Sequence, residues 1–138
     1  MVQRELVAKY NEAEPHTVAA TGPGKAAASA IRIPVFVAPF DGRILGVDLN
    51  PEVTIAAAPV NYWTFKLKNG ATEITAAKTN AAGGGLSSLS RNACTVNTSG
   101  GEDLVAAGAV IVMTGTSGLG AQDLSTQQLG VTVRFTPR

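Results

Sequence analysis

His16 and Cys94 are the single histidine and the single cysteine of this 138-residue chain. A Ser-His-Asp or Cys-His relay needs a histidine held in place as a base. His16 follows Pro15 in a stretch that reads as an arm or a first strand, and so as a surface or strand-edge histidine. One histidine and one cysteine do not make up the usual ligand set of a zinc site. Cys94 has no second cysteine to bridge and reads as a small buried hydrophobe. Carboxylates bring acid–base or calcium chemistry, and Asp41, Asp48 and Glu52 fall close together. Asp41, however, sits in Pro39-Phe40-Asp41-Gly42, where a turn favours aspartate, and Glu52 follows Pro51 in a connection. Their spacing is not that of a calcium loop. Gly22-Pro23-Gly24-Lys25 looks superficially like a phosphate loop, yet the earlier glycine is missing and Ala26 stands where a Mg²⁺-binding hydroxyl belongs. The glycines of 115–120 follow a strand but open no helical pattern. Tyr62 and Trp63 offer stacking surfaces for a sugar or a base, but Trp63 alternates with Phe65 and Leu67 on an apolar face and reads as core. The expectation is a non-enzymatic protein with no catalytic residues, cofactor or metal.

The elements around these residues are strands. Ile31, Ile33, Val35 and Val37 alternate with Arg32, Pro34 and Phe36, and Pro34 assigns that strand to a sheet edge or a bulge. After the turn at 39–42, Arg43, Leu45, Val47 and Leu49 alternate with Ile44, Gly46 and Asp48 until Pro51. Residues 51–59 are alanine-rich without a clean period and read as a connection. Residues 62–68 set Trp63, Phe65 and Leu67 against Tyr62, Thr64, Lys66 and Lys68. Asn69-Gly70 then predicts a type I′ hairpin with 71–77 as the returning strand. Further strands are expected over 16–20, 93–97, 109–114 and 128–136, with 21–24 as a break. Residues 78–104, with Gly83-Gly84-Gly85 and Gly100-Gly101, read as a soft, small-residue stretch holding one short strand. About eight strands with turns between them predict a single antiparallel β-sandwich, jelly-roll-like, over 16–138.

Residues 1–15 differ. Val2, Leu6 and Tyr10 recur every four positions among charged residues until Pro15. That spacing fits two to three helical turns, which are marginal without something to dock on. Two readings stand, a frayed terminus and an extended or helical arm that orders on a neighbouring subunit.

The bulk numbers narrow the partners. Eleven basic and ten acidic residues give a net charge of +1, without the basic stripe that nucleic acid requires. No apolar run approaches a membrane span, and the start of the chain has no apolar signal core, so the expectation is cytoplasmic synthesis. Charged residues make up only 15% of the chain, below the ordinary share of about 25%. A surface so poor in charge suits a protein whose neighbours cover much of it.

The strings APFDGRILGVDLNPEV at 38–53, NYWTFKLKNG at 61–70, DLVAAGAVIVMT at 103–114 and LGVTVRFTPR at 129–138 carry a resemblance to capsid decoration (cement) and similar small head proteins of tailed bacteriophages. The resemblance implies a virion protein on the capsid surface that trimerises at capsomer junctions and binds the major capsid protein. It implies contacts from Val2, Leu6, Val7 and Tyr10 of the arm, and a partner-facing or exposed loop over 83–90, with Gly83, Gly84, Gly85 and Leu86 as its contacts. It supplies no catalytic residues. The rival class is a carbohydrate- or ligand-binding module of a phage tail or fibre, for which Tyr62 is the good exposed aromatic.

Overall fold

The computed structural model describes residues 15–138. The arm expected over 1–15, with Val2, Leu6, Val7 and Tyr10, lies outside the described residues except for Pro15. Ten strands follow: β1 (His16–Pro23), β2 (Ile31–Val37), β3 (Gly42–Pro51), β4 (Trp63–Asn69), β5 (Thr72–Glu73), β6 (Lys78–Thr79), β7 (Asn92–Cys94), β8 (Leu104–Val105), β9 (Val110–Ser117) and β10 (Gln128–Pro137). There is no helix among the described residues. Two sheets form, and every strand pairing in them is antiparallel. The first has the order β1-β10-β3-β7, with β8 also on β3; the second has β2-β9-β4-β5, with β6 also on β4.

Alternation along the strands explains why the sheets meet. Trp63, Phe65 and Leu67 of β4 are fully buried, as are Ile111 and Met113 of β9. They share one core with Ile44 and Leu49 of β3 and with Leu129, Val131, Val133 and Phe135 of β10. Each such side chain contributes roughly 1.5–3 kcal/mol through its burial. Trp63 also donates its indole N–H to the Gln122 carbonyl at 2.7 Å, so its polar edge is satisfied inside the core.

Several local expectations change. The predicted break at 21–24 is absent: Thr21, Gly22 and Pro23 continue β1 in register with β10. Gly22 lies so close to Ile33 that a Cβ would stand 2.6 Å from its Cγ1, which makes the glycine a packing site rather than a breaker. In β2 the register shifts between Pro34 and Phe36, and β2 is also the edge of its sheet. The shift reverses the alternation, so Val37 is exposed rather than core. The same happens in β3. A bulge opposite Arg134 and Phe135 leaves Leu45 exposed, while Ile44 before it and Val47 and Leu49 after it are buried.

The hairpin is also displaced by one residue. Asn69 pairs with Thr72, so the turn centres on Gly70-Ala71, and only Gly70 has positive φ, at 60°. Positive φ at the first central position alone is the II′ pattern, not I′. Its returning strand is short because Thr75 leaves the ladder: its hydroxyl accepts the Leu67 N–H at 3.0 Å in place of a backbone carbonyl. The stretch 78–104 is pinned rather than soft. β6, β7 and the first residue of β8 lie in it, and the bridges Ile55–Leu86, Ala58–Ala81 and Thr75–Val96 tie it to earlier segments.

Candidate interaction surface

The residues weighed for chemistry have structural roles in the folded chain. His16 begins β1 and its ring sits 5.7 Å from that of Phe40. The Asp41 carboxylate accepts the Ala107 N–H at 2.8 Å, tying the turn it stands in to the loop before β9. Asp48 is buried, and one carboxylate oxygen receives both Nε and Nη2 of Arg91 at 3.0 Å. Cys94 is buried in the core cluster, and burial pushes its thiol up to about 11 despite the opposing charge of Lys78. Gly22 and Pro23 belong to β1, and the Gly24 N–H donates to the Gln127 carbonyl at 2.9 Å. Among the described residues, no group of three or more His, Cys, Asp or Glu is placed to hold a metal.

Two surface features remain. One is a groove of about 280 Å³ on the outer face of the first sheet, lined by Thr17, Asp48, Arg91, Thr132 and Arg134. The register explains it: Thr17 pairs with Arg134, Arg134 with Gly46, and Thr132 with Asp48. Glycine at 46 lets the Arg134 guanidinium lie against the backbone, since a Cβ there would stand 2.4 Å from Nη2.

The other feature is one end of the molecule, where β1, β3 and β9 finish and β2, β4 and β10 begin. Four connections, 24–30, 52–62, 80–91 and 118–127, are joined there by specific hydrogen bonds. Gln122 accepts the Ala56 N–H at 2.9 Å and donates to the Thr54 carbonyl at 3.1 Å. Asn80 accepts the Trp63 N–H at 2.7 Å and donates to the Ala56 carbonyl at 2.8 Å. Gln127 accepts the Val53 N–H, the Thr54 hydroxyl accepts the Ser88 N–H, and the Leu89 N–H donates to the Pro51 carbonyl. Three buried or half-buried amide side chains thus do the work of a sheet in holding irregular backbone.

This end carries most of the exposed apolar bulk: Val53, Val60, Tyr62, Leu89 and Leu119. Each connection has a single charged residue, respectively Lys25, Glu52, Arg91 and Asp123. At the opposite end stand Arg43, Glu73, Asp103 and Arg138, with ion pairs Arg43–Asp103 at 3.1 Å and Lys66–Glu73 at 2.8 Å. The apolar end also holds the three non-glycine residues with positive φ among the described residues: Ala28 at 66°, Asn61 at 57° and Leu89 at 51°. Asparagine tolerates that region; leucine pays about 1–2 kcal/mol for it. Leu89 is 84% exposed as well, so in the free chain it gains nothing from burial to offset its strain.

The loop expected to face a partner divides within this end. Gly83 and Gly85 are exposed and Gly84 is half-exposed. Leu86 is a correction: it is 1% exposed and belongs to the core. It exchanges both backbone hydrogen bonds with Ile55, at 2.9 and 2.8 Å, which turns its side chain inward. Leu89, three residues on, is the outward residue; it lies inside the loop expected over 83–90 but is not among the contacts expected there. Its Ser-Leu-Ser setting is that of an ordinary polar loop, and its backbone conformation leaves no mark in composition.

No family model matches the sequence, and no curated protein matches it. Among solved structures, the fold is similar to a chain in the cyanophage Pam1 capsid asymmetric unit, with a TM-score of 0.56 and 16% sequence identity. The likeness covers 91% of this chain and 86% of that one, so it spans the whole two-sheet arrangement rather than a shared motif. At that identity it is a likeness of fold.

Proposed function

We propose that the chain is a non-enzymatic structural protein of a phage virion, a β-sandwich of jelly-roll order that binds the outer surface of the capsid and stabilises it. The strand orders β1-β10-β3-β7 and β2-β9-β4-β5 support the jelly-roll reading, because β1, β2, β3 and β4 alternate between the sheets and β7, β9 and β10 do so again. The fold likeness to a capsid chain supports the setting, since it extends over most of both chains. The observation that carries the docking surface is Leu89, strained and exposed in the free chain, among Val53, Val60 and Leu119 on a charge-poor end.

In this reading the apolar end rests on the major capsid protein, and buried area is the whole mechanism. A subunit that binds the assembled shell and not its separated parts stabilises the shell by mass action. Many copies on one shell make the effect cumulative. Self-association belongs to the same reading, and the resemblance implies a trimer. The test is cosedimentation of the full chain with purified phage heads: the chain should pellet with the heads and saturate at a fixed number of copies. The outer-face groove favours a second reading, a ligand-binding module of a tail or fibre, because its Asp, Arg and Thr side chains suit a small polar ligand. None of its five lining residues is aromatic, and Tyr62 lies at the loop end instead, which weighs against a sugar platform. A glycan array that lights up while heads pellet alone would favour that module.

A further inference from the structure

A sheet edge exposes a row of backbone donors and acceptors, and proteins blunt such edges with short strands, proline, bulges or charge. Among the described residues the two sheets have four edges, and three of them are blunted. β7 has three residues, and β5, β6 and β8 have two each. β2 carries Pro34, a register shift and the exposed Arg32. β1 is different. It runs for eight residues in unbroken register with β10, contains no Asp, Glu, Lys or Arg, and has its proline only at the last position.

Burial also stops short at this strand. Val131 and Val133 of β10 are fully buried, but Ala20 and Val18, which pair with them, are only half-buried. The apolar layer therefore continues to this edge and is only partly covered there by the described residues.

We propose that β1 is a pairing edge whose occupant is β1 of a second copy of this chain, antiparallel about a twofold axis, so that the first sheet continues from one subunit into the other. The residues suit a self-complementary seam. Centred on Ala19, the register sets Thr17 of one copy opposite Thr21 of the other, and Val18 opposite Ala20, with no like charges meeting. Thr–Thr and apolar cross-strand pairs of this kind each contribute roughly 0.2–1 kcal/mol. The half-buried Val18 and Ala20 gain a cover from the partner strand. A twofold contact uses the same edge on both copies, so the assembly closes at two. This edge geometry points to a dimer rather than the trimer that the resemblance implies, and it stands whether or not the chain binds a shell.

The experiment is the native mass of the full chain by light scattering after size exclusion, beside that of Ala19→Lys. The native chain is expected at twice its 14.1 kDa mass. Ala19→Lys sets two ammonium groups face to face at the centre of the seam and is expected at the single-chain mass, with unchanged far-ultraviolet dichroism. Arg32→Glu, on the blunted edge, is expected to leave the dimer intact. A native monomer, a trimer, or a dimer that survives Ala19→Lys overturns the proposal. Should Ala19→Lys fail to fold, hydrogen exchange of the native chain decides. The β1 amides should exchange more slowly as concentration rises. Exchange independent of concentration, as when the chain's own residues 1–14 cover the edge, overturns it.

Discussion

Leu86 and Leu89 lie three residues apart in one loop, and the structure assigns them opposite consequences. Leu86 is 1% exposed and packs in the core beside its backbone partner Ile55. Leu86→Ala removes three buried carbons from a site held on both sides by hydrogen bonds, so little collapse into the space is available. The expected loss is about 3 kcal/mol, within the range of roughly 2–5 for buried leucines. Leu89 is exposed at φ 51°. Leu89→Gly releases about 1–2 kcal/mol of left-handed strain and gives back about 0.5–1 through the greater freedom of the unfolded glycine. The net expectation is a chain unchanged or stabilised by up to about 1.5 kcal/mol. Urea unfolding, followed by Trp63 fluorescence, gives both numbers from the midpoints, provided the slopes agree. On the shell the order reverses. Burying a leucine at an interface is worth roughly 1.5–3 kcal/mol, so Leu89→Gly should weaken head binding about tenfold or more. Leu86→Ala within 0.5 kcal/mol of the native chain, or Leu89→Gly costing more than about 1 kcal/mol, would refute the assignment of inward and outward residues.

Other outcomes follow from the same contacts. Gly42→Ala is expected to cost roughly 1–3 kcal/mol, because its Cβ would stand 2.3 Å from the Phe135 ring and 2.6 Å from the Thr136 carbonyl. Gly46→Ala should cost much less, since the obstacle is the movable end of Arg134; thermal melts of the pair compare them directly. Thr75→Val strands the buried Leu67 N–H and should lower stability by about 1–3 kcal/mol in urea unfolding. The Cys94 thiol, held up to about 11 by burial, should resist maleimide at pH 8 in the native chain and react once urea unfolds it. The native state keeps that proton above the ordinary thiol value of 9.0, so stability should fall as pH rises from 9 toward 11, by about 2–3 kcal/mol, and Cys94→Ala should flatten that slope.

Strand content was legible wherever alternation was local and unbroken. Trp63, Phe65 and Leu67 read as one face and are one face, and the terminal strand with Leu129, Val131, Val133 and Phe135 likewise. Alternation misled at Val37 and Leu45, where a bulge adds one residue and reverses the face, because a bulge is fixed by the partner strand. Thr21-Gly22-Pro23 looked like a break, since nothing in those residues shows that Ile33 packs against Gly22. The loop end was the least legible. Its order comes from Asn80, Gln122 and Gln127, three amides whose partners lie between 17 and 74 residues away. Composition reports only small and polar residues there. Lone charges and scattered apolar residues in four separate segments become a surface only when the fold gathers them.

Docking of the apolar end on a capsid is tested most directly by the amount of full chain that cosediments with purified heads across a concentration series, native beside Leu89→Gly. Saturable binding by the native chain is expected, with about tenfold weaker binding by Leu89→Gly at equal or greater fold stability. Heads that pellet without the chain at every concentration, or equal binding by the two chains, would contradict it.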